Sequence, residues 1–327
     1  MPRTRRSCES ARIGCTFLVV LFATNVRADG HAELRSQHLQ LFVADNKAYS
    51  PHHRTGYNGV SELYCCGEPR NLFVPTYAGL NFEHIFNGDS ATYSWNKFEP
   101  RQAPMKLTRR ASNSIELLQT RTQNWPLETT LTYSSVEPDA VDLTVRVVSE
   151  ENAWKKHGYI GLFFASYIQA PADKGISFIG KPTGGDSSPS ARWIHHHSPH
   201  HGKRSAHRPS SSDWQPAFDP GFPLSLVTGR SQWKYDYPFY YGRRGEHVAI
   251  MMFKRPSKGG EIWFAQSPTG GGERNPAWDF ILFQRDCEIG REFRFDIRLV
   301  VRPFRGREDV IQAYESWTGE KVTRPNP

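Results

Sequence analysis

The chain of 327 residues lacks the short motifs of several common enzyme classes. It has no Gly-x-Ser-x-Gly nucleophile elbow and no His-Glu-x-x-His zinc motif, so neither an α/β-hydrolase nor a zincin metalloprotease is indicated. Its glycine triplet, residues 270–272, is not followed by the Lys-Ser/Thr pair of a phosphate-binding loop. The sequence therefore carries no established reaction signature, and no cofactor is predicted.

Cysteine is scarce. Of five cysteines, only Cys65, Cys66 and Cys287 lie beyond residue 28. An odd number cannot be fully paired within one chain. A disulfide between Cys287 and one of the adjacent pair, in an oxidising compartment, and buried free thiols are both consistent with this set. Three cysteines do not make a disulfide scaffold, so we expect a hydrophobic core to hold the fold.

Beyond the N-terminus the chain lacks any segment apolar enough to cross a membrane. The first 12 residues include four arginines, residues 13–24 form an apolar core, and Val26-Arg27-Ala28 resembles a cleavage site. This pattern is typical of a secretory signal peptide, and its apolar run is short for a membrane span. The sequence predicts a signal peptide at residues 1–28 and a secreted or periplasmic protein.

A concentrated basic face is also lacking. Removing residues 1–28, with five Arg and one Glu, lowers the formal net charge from +8 to +4. The remaining Arg and Lys are scattered along the chain, whereas nucleic-acid-binding domains usually cluster them on one face. We therefore do not expect a nucleic-acid partner.

Strand patterns dominate what is present. Residues 141–147 and 293–299 alternate apolar and polar side chains, as half-buried antiparallel strands do. Residues 159–168, 248–253 and 280–283 are nearly continuous apolar runs, which is typical of strands covered on both faces. With no βαβ rhythm, these patterns predict an all-β fold, a large antiparallel two-sheet β-sandwich.

One helix is predicted at residues 307–317, where apolar side chains recur with helical spacing and Gly319 follows. No repeat or break in composition divides the chain. We therefore predict a single β-sandwich domain at residues 29–327, closed by this short C-terminal helix. Residues 181–214, rich in Gly, Ser and His, are predicted to form one long loop.

The most informative stretch is residues 80–89, which combines acidic, amide and imidazole side chains with two phenylalanines. Such polar groups are costly to bury without partners. One hypothesis is that Glu83 or His84 transfers protons in a site lined by Asn81 and Asp89. The other is that His84 is a satisfied core histidine beside a simple turn. Regular alternation would place Glu83 and His84 on opposite faces, so we expect only one of them in any pocket.

Two further carboxylates are candidates for the missing partner. Glu128 could form a two-carboxylate site with Glu83. Asp279 follows Trp278 and could bind sugar hydroxyls while the indole stacks on the ring. The alternative for Asp279 is a glycine-rich hairpin with a core tryptophan. The predicted catalytic residues are Glu83, His84, Glu128 and Asp279.

The predicted substrate-binding residues are polar or aromatic side chains near these carboxylates or in aromatic runs. In residues 233–241 the aromatics either form an exposed platform for glycans or pack in the core. The turn at residues 218–223 could aim Asp219 inward. The set is Asn81, Asp89, Trp125, Tyr167, Asp219, Tyr240, Tyr241, Gln266 and Trp278.

Six histidines lie within residues 195–207. Histidine clusters can bind zinc or copper, but no carboxylate or cysteine stands at ligand spacing inside this one. No metal site is therefore predicted. His201 or His207 could instead serve as an acid or base on a mobile lid.

Three segments together carry a family resemblance: Asn81-Phe82-Glu83-His84, residues 159–168, and Asn275-Pro276-Ala277-Trp278-Asp279. With them the mature chain resembles the galactose mutarotase-like β-supersandwich superfamily and is similar to uncharacterised secreted proteins of planctomycete-like bacteria. Mutarotases use a His acid and a Glu base. Their His-Pro-Tyr setting is absent here, where Ala165-Ser166-Tyr167 is the nearest string.

This resemblance implies a secreted carbohydrate-active protein that binds or acts on a sugar in a concave β-sheet cleft. An enzyme would then be of the epimerase, lyase or hydrolase type. The alternatives are a non-catalytic glycan-binding or structural envelope protein and, third, a metal binder that uses the histidine loop. The oligomeric state stays open.

Overall fold

The computed structural model describes residues 30–51, 53–95, 97–152, 154–184 and 190–325. The predicted signal peptide, residues 1–28, lies outside them. Within the described part of the chain, no helix is long and apolar enough to cross a membrane.

A small antiparallel sheet opens the described chain. It contains β1 (His31–Arg35), β2 (Leu39–Ala44) and β3 (Gly59–Cys65), in that order. In β2 the side chains of Leu39, Leu41 and Val43 alternate into the core. This alternation fixes the face that the small sheet buries.

A second sheet has fifteen strands. Its order is β4-β9-β17-β16-β12-β13-β10-β14-β15-β18-β8-β7-β6-β5, with β11 paired to β10. All of its pairs are antiparallel except β12 with β13. The strands are β4 (Asn81–Phe86), β5 (Lys106–Ala111), β6 (Ser114–Gln119), β7 (Leu127–Val136), β8 (Ala140–Ser149), β9 (Tyr159–Ala165), β10 (Ile176–Pro182), β11 (Arg192–His196), β12 (Ala206–Pro209), β13 (Arg230–Tyr235), β14 (Phe239–Arg244), β15 (His247–Phe253), β16 (Gly260–Ser267), β17 (Ala277–Arg285) and β18 (Glu292–Pro303).

The large sheet folds over on itself. Strands β15 and β17 are six positions apart in the strand order, which would separate them by about 29 Å in a flat sheet. The rings of Phe253 in β15 and Phe280 in β17 are nevertheless 5.1 Å apart. The two halves of the sheet therefore face each other across a shared core, and the predicted all-β sandwich is confirmed.

The middle of the sheet is covered on both faces, as its apolar runs predict. In β9, Ile160, Leu162 and Phe164 belong to the core between the layers. Tyr159 and Phe163, at the alternate positions of β9, join a second apolar cluster on the opposite face. Strand β9 pairs with β4 on one side and with β17 on the other. The polar residues of β4 and β17 therefore lie next to this doubly buried strand.

Four helices occur among the described residues: α1 (Ser90–Trp95), α2 (Glu99–Gln102), α3 (Ser225–Thr228) and α4 (Arg307–Thr318). Helix α4 is the predicted C-terminal helix. Tyr314 packs against Phe239 of β14 at 5.0 Å between ring centres. Gly319 ends the helix in the left-handed conformation, at φ 77°.

The prediction of one long loop at residues 181–214 is wrong. Strand β11 pairs with β10, and Ile194 buries its side chain there. Strand β12 lies between β13 and β16. The glycine- and serine-rich composition suggests a loop, but the short strands are held by partners that are mostly remote in sequence.

Candidate functional site

A β-bulge brings Glu83 and His84 together. Phe82 is opposite Phe164 and His84 is opposite Phe163, so Glu83 is the extra residue in β4. His84 Nε2 lies 3.4 Å from Glu83 Oε1. The prediction that these two side chains face opposite sides is therefore wrong, because it assumed a regular ladder.

The Glu83 carboxylate is the centre of a buried polar cluster. Its Oε1 faces His84 and, at 3.6 Å, Arg101 Nη1. Its Oε2 accepts hydrogen bonds from the Tyr167 hydroxyl at 2.6 Å and from Asn81 Nδ2 at 3.1 Å. Burial raises the pKa of Glu83, but the contacts with His84, Arg101 and Tyr167 outweigh burial and hold the pKa below its usual value. Glu83 is therefore an anion at neutral pH.

Asn58 fixes the start of β4. Its backbone N–H donates to Asn81 Oδ1 at 3.1 Å, and its side chain both donates to the carbonyl and accepts from the N–H of Phe82, each at 2.9 Å. Asn58 itself is fully buried. The loop before β4 thus orients the Asn81 amide, which leaves Nδ2 aimed at Glu83.

The short helix α2 delivers Arg101. Pro100 occupies its first turn, where a missing N–H costs nothing, and the next residue is Arg101. The Arg101 Nε donates to the carbonyl of Gly56, which leaves Nη1 turned toward Glu83. A local helix start and one backbone acceptor therefore aim this charge at the carboxylate.

His84 presents its other ring nitrogen, Nδ1, to groups on the side away from Glu83. Its Nδ1 contacts the carbonyl oxygen of Lys97, and the Tyr93 hydroxyl lies 3.0 Å from the same nitrogen. Because a carbonyl can only accept, Nδ1 carries a hydrogen. The contact between Nε2 and Glu83 is then attractive only when a proton lies between the two groups.

Three tyrosines, Tyr57, Tyr77 and Tyr167, form what we term the tyrosine wall. Their ring centres are 4.8 to 5.6 Å apart. Arg54 lies over the Tyr77 ring with Cζ 3.8 Å from its centre, and Arg101 lies at the same distance over Tyr57. These cation–π contacts place two guanidinium groups beside aromatic faces at the edge of the Glu83 cluster.

His201, in the histidine-rich segment, lies near enough to Glu83 and Lys97 for both charges to affect its pKa. Its Nδ1 lies 3.0 Å from Ser267 Oγ; the residue as a whole is exposed, but the ring is partly buried at this contact. Burial of the ring and the charge of Lys97 lower the pKa of His201, while the Glu83 charge acts in the opposite direction. The net effect is a lowered pKa, so His201 is mainly a neutral imidazole at pH 7.

Asp279 lies behind the cluster, fully buried. Its Oδ1 accepts the backbone N–H of Ser166 at 3.0 Å, one residue before Tyr167. Among the described residues its Oδ2 has no hydrogen-bond partner. Burial raises the pKa of Asp279 well above its usual value, and the Glu83 charge adds to the shift. Burial therefore favours the protonated form of Asp279.

The predicted pairing of Glu128 with Glu83 is wrong. The side chains of β7 alternate, with Leu127 buried and Glu128 exposed on the outward face. Tyr133 of the same strand points inward and donates to the Leu80 carbonyl at 2.9 Å. The face of β7 that meets the start of β4 is therefore the one opposite to Glu128.

Asp89 and Asp219 share Lys156 as a partner, at a place apart from the Glu83 contacts. Lys156 Nζ lies 3.3 Å from Asp89 Oδ1 and 2.6 Å from Asp219 Oδ2. Asp219 also contacts His157 and accepts the Ser90 N–H. The hydrogen bond from Lys156 is the main reason that the pKa of Asp219 falls to about 2. This cluster joins the start of α1 to the turn at residues 218–223.

The remaining predicted residues lie in the core. Trp125 stacks on Trp154, and the Tyr240 hydroxyl donates to the carbonyls of Trp278 and Asp279. Gln266 and Trp278 both donate to the carbonyl of Lys174. Tyr241 packs against Trp193 and Phe304. The run at residues 233–241 is thus mainly core packing: Tyr235, Phe239, Tyr240 and Tyr241 are buried.

Sequence reasoning missed Arg54, Tyr57, Tyr77 and Arg101. Three of them lie in irregular segments, where hydrophobic periodicity carries no signal. Only Arg101 has a signal in the sequence, since Pro100 is typical of the first turn of a helix and Arg101 follows it. Tyr77 also meets the glycine-rich loop: a Cβ on Gly271, at φ +88°, would lie 3.0 Å from its ring.

The structure shows Cys65, Cys66 and Cys287 as free thiols. In the described part of the chain, no three His, Cys, Asp or Glu side chains are grouped so as to hold a metal ion.

No protein-family model matches the chain, and no curated protein matches it. Among solved structures it is similar to a candidate aldose 1-epimerase from Escherichia coli K12, with 11% identity and a TM-score of 0.47, covering 84% of this chain and 99% of that one. It resembles galactose mutarotase-like proteins in fold. A galactose mutarotase related enzyme from Lactobacillus acidophilus has 10% identity and a TM-score of 0.45, covering 83% and 97%. A heparan sulfate lyase from Pedobacter heparinus has 10% identity and a TM-score of 0.42, covering 85% of this chain and 36% of that one. The similarity to planctomycete proteins stays a prediction.

Proposed function

We propose that the Glu83 cluster binds a carbohydrate and carries out base-catalysed chemistry on it, with His201 as the general base. The observation that carries this proposal is a buried anion, Glu83, that organises an aromatic and cationic surface next to an exposed neutral imidazole. Aromatic faces beside hydrogen-bonding groups suit a sugar, whose C–H groups stack while its hydroxyls bond.

Glu83 acts here as a positioning residue. An ionised carboxylate has about four acceptor sites, and four side chains of the protein face its oxygens. It therefore holds Tyr167, His84 and Arg101 in place. The sequence-based hypothesis that Glu83 transfers protons to a substrate is replaced by this role.

Tyr167 serves to orient the ligand. Burial and the Glu83 charge raise its pKa well above 10, so the hydroxyl keeps its proton and donates a hydrogen bond to Glu83. Its phenol oxygen still has lone pairs that can accept a hydrogen bond from a ligand hydroxyl. Its ring belongs to the tyrosine wall, which offers the apolar surface.

His201 supplies the base. Its lowered pKa keeps the imidazole unprotonated at neutral pH, as a proton acceptor requires. Arg54, Lys97 and Arg101 surround the site with positive charge, which would stabilise negative charge that develops on the substrate. This arrangement fits removal of a proton from a sugar, as in an epimerase or a lyase.

The second candidate function is glycan binding without turnover. It is favoured by the state of the two central carboxylates, since Glu83 is fully engaged and Asp279 is buried. His201 is then a contact residue only.

The experiment uses the folded protein with a panel of reducing sugars and polysaccharides, with binding followed by calorimetry and product by chromatography. We expect His201→Asn to lower kcat at least about 100-fold while ligand affinity stays within about threefold. The matched control is His38→Asn, another exposed histidine.

Each result separates the candidates. Full turnover by His201→Asn would contradict the general-base role. Binding without turnover in the wild type would select the second candidate. A folded protein that binds no carbohydrate would contradict both.

Secretion is part of the proposal and rests on the signal-like residues 1–28. N-terminal sequencing of exported protein should begin at Asp29. Retention of Met1 in the cell would contradict it.

A further inference from the structure

A basic cavity of about 420 Å³ opens beside the glycine-rich loop. Four of the side chains that line it are cationic, and its described lining includes no carboxylate. Its neutral lining comes from residues 170–172 and Gly245. The cations are Arg70, Lys174, Arg244 and Arg274.

Arg244 is the unusual member, because it is only 4% exposed and has no carboxylate partner within the described residues. Its Nε and Nη2 donate to the backbone and side-chain oxygens of Gln169, and its Nη1 donates to the Arg70 carbonyl. A guanidinium carries five N–H donors, so two remain for a ligand. Burial lowers the pKa of Arg244, which reflects the cost of holding this charge away from water.

The other cations are only partly compensated. Arg70 forms a two-pronged ion pair with Glu68, whose charge also reaches Arg244. Lys174 donates to the backbone carbonyl of Glu273, which carries no net charge. Arg274 is exposed and has no ion pair in the described part of the chain. Positive charge therefore exceeds negative charge around the cavity.

The cavity lies close to the tyrosine wall. Ala170, in its lining, follows Tyr167 by three residues, a span of about 10 Å at most. Asn275 links the two sides: its Oδ1 accepts the Ala170 N–H at 2.9 Å, and its Nδ2 donates to the Gly271 carbonyl at 2.9 Å. Since Gly271 packs on Tyr77, the glycine-rich loop separates the two sites and borders both.

Two predicted site residues hold part of the wall of this cavity in place through hydrogen bonds. Gln266 and Trp278 hold the carbonyl of Lys174 at 3.0 Å each. These residues do not reach the Glu83 cluster, but they fix the segment that carries Lys174 into the cavity wall. The side-chain N–H groups of Gln266 and Trp278 therefore have a structural role.

We propose that the basic cavity binds an oxyanion group, a sulfate ester or a carboxylate, carried by the ligand. Guanidinium groups suit such groups because parallel N–H donors match two oxygens of one anion. An anion would also complete the coordination of Arg244. That the oxyanion belongs to a carbohydrate rests on the function proposed above. The anion site itself does not.

The first test titrates the full-length protein with sodium sulfate against sodium chloride at equal ionic strength, by calorimetry. We expect specific sulfate binding that Arg274→Gln weakens about tenfold. Arg244→Lys should weaken it similarly, although the charge is retained, because the planar fork is lost. The matched control is Arg305→Gln, an exposed arginine outside the cavity, which should change affinity less than twofold.

Either of two outcomes would overturn the anion site. These are sulfate binding no stronger than chloride binding, or equal weakening by Arg305→Gln, which would indicate a general charge effect. Arg274 is exposed, so Arg274→Gln keeps the test valid even where Arg244→Lys fails to fold.

The second test distinguishes the sources of the oxyanion with dextran sulfate, polygalacturonate and neutral dextran. Preference for either charged polymer over neutral dextran, lost in Arg274→Gln, supports the proposal and identifies the anion as sulfate or carboxylate. Sulfate binding without any preference among the polymers overturns its carbohydrate part. Tyr167→Phe should leave binding of free sulfate unchanged, so failure of the Glu83 site and failure of the anion site are distinguishable.

Discussion

Two buried carboxylates, Glu83 in β4 and Asp279 in β17, lie on either side of β9, and their pKa values shift in opposite directions. Glu83 has four side-chain contacts and a lowered pKa. Asp279 has one backbone donor, an oxygen with no partner in the described chain, and a raised pKa. Burial is nearly the same for both. Partners, and not burial, decide which group is charged.

This contrast assigns different tasks to the two groups. The anion Glu83 can organise cations and hydroxyl donors at the surface of the site. The neutral Asp279 supports the Ser166 backbone next to Tyr167 without adding a second negative charge. The negative charge of Glu83 disfavours a second negative charge on Asp279 and so contributes to its raised pKa.

The largest effect is expected for Glu83→Ala. It leaves His84 and Arg101 facing an unpaired, largely buried site, and removing one partner of a buried charge pair costs about 3–5 kcal/mol. Urea unfolding measures the free-energy change. Glu128→Ala, at an exposed position of β7, should change it by less than about 0.5 kcal/mol. Equal small losses in both variants would remove the distinction on which the comparison rests.

Buried imidazoles extend the comparison to bases. His196 and His207 lie 4.4 Å apart, and neither nitrogen of His207 has a partner in the described residues. Burial lowers the pKa of His196 to about 4 and that of His207 well below 6.5. In the window from about pH 6.5 down to about pH 4 the unfolded chain binds more protons, so stability falls as pH falls. For His196 alone the loss is about 3 kcal/mol.

Chemical denaturation across this pH window checks the expectation. His207→Leu should flatten the slope, since one group that charges only on unfolding is gone. His38→Asn is the matched control, because it replaces a histidine at an exposed position and leaves the buried pair intact. An unchanged slope in His207→Leu would show that the buried imidazole is already paired or charged.

Tyr167→Phe tests the hydrogen bond to the anion. A hydrogen bond to a charged group contributes about 1.5–3 kcal/mol, so we expect a loss near 2 kcal/mol in thermal or urea unfolding. Tyr64→Phe is the matched control, because Tyr64 donates to Glu62 at 2.7 Å in a less buried setting. It should cost less than about 1 kcal/mol. The reverse order would mean that Glu83 is not a strong acceptor.

The smallest effect is expected for Asp279→Asn, at about 1 kcal/mol or less near pH 4, because the amide replaces a neutral acid of the same shape. The sign of its pH dependence is more informative. The unfolded acid ionises near pH 4, whereas the folded one keeps its proton, so the wild type loses stability as pH rises above 4. The variant should therefore gain stability relative to the wild type as the pH rises above about 4. A constant difference would mean that Asp279 ionises normally in the fold.

The alternating and apolar runs predicted the fold well. Residues 141–147 and 293–299 lie in the paired strands β8 and β18, and residues 159–168 begin with the doubly buried β9. Helix α4 begins at the predicted residue and ends one residue later than predicted. Periodicity succeeded here because regular pairing and burial of one or both faces produce it directly.

The site was predicted only in part, because its geometry depends on an irregularity. The bulge at Glu83 adds one residue to β4, and hydrophobic pattern does not reveal such an insertion. Asn81, Glu83, His84 and Tyr167 were found, whereas the tyrosine and arginine contacts from loops were not. Trp278 and Tyr240 look like ligand platforms in sequence, but their size favours the core.

The most direct test of the central claim is a carboxyl ¹³C NMR titration of the folded protein, with resonances assigned by Glu83→Gln and Asp279→Asn. The account predicts that at pH 7 the Glu83 resonance is that of an ionised carboxylate and remains so until the pH falls below the usual pKa of a glutamate. The Asp279 resonance at pH 7 should be that of a protonated carboxyl group. A Glu83 resonance that titrates above its usual pKa, or an Asp279 resonance already ionised at pH 7, would contradict it.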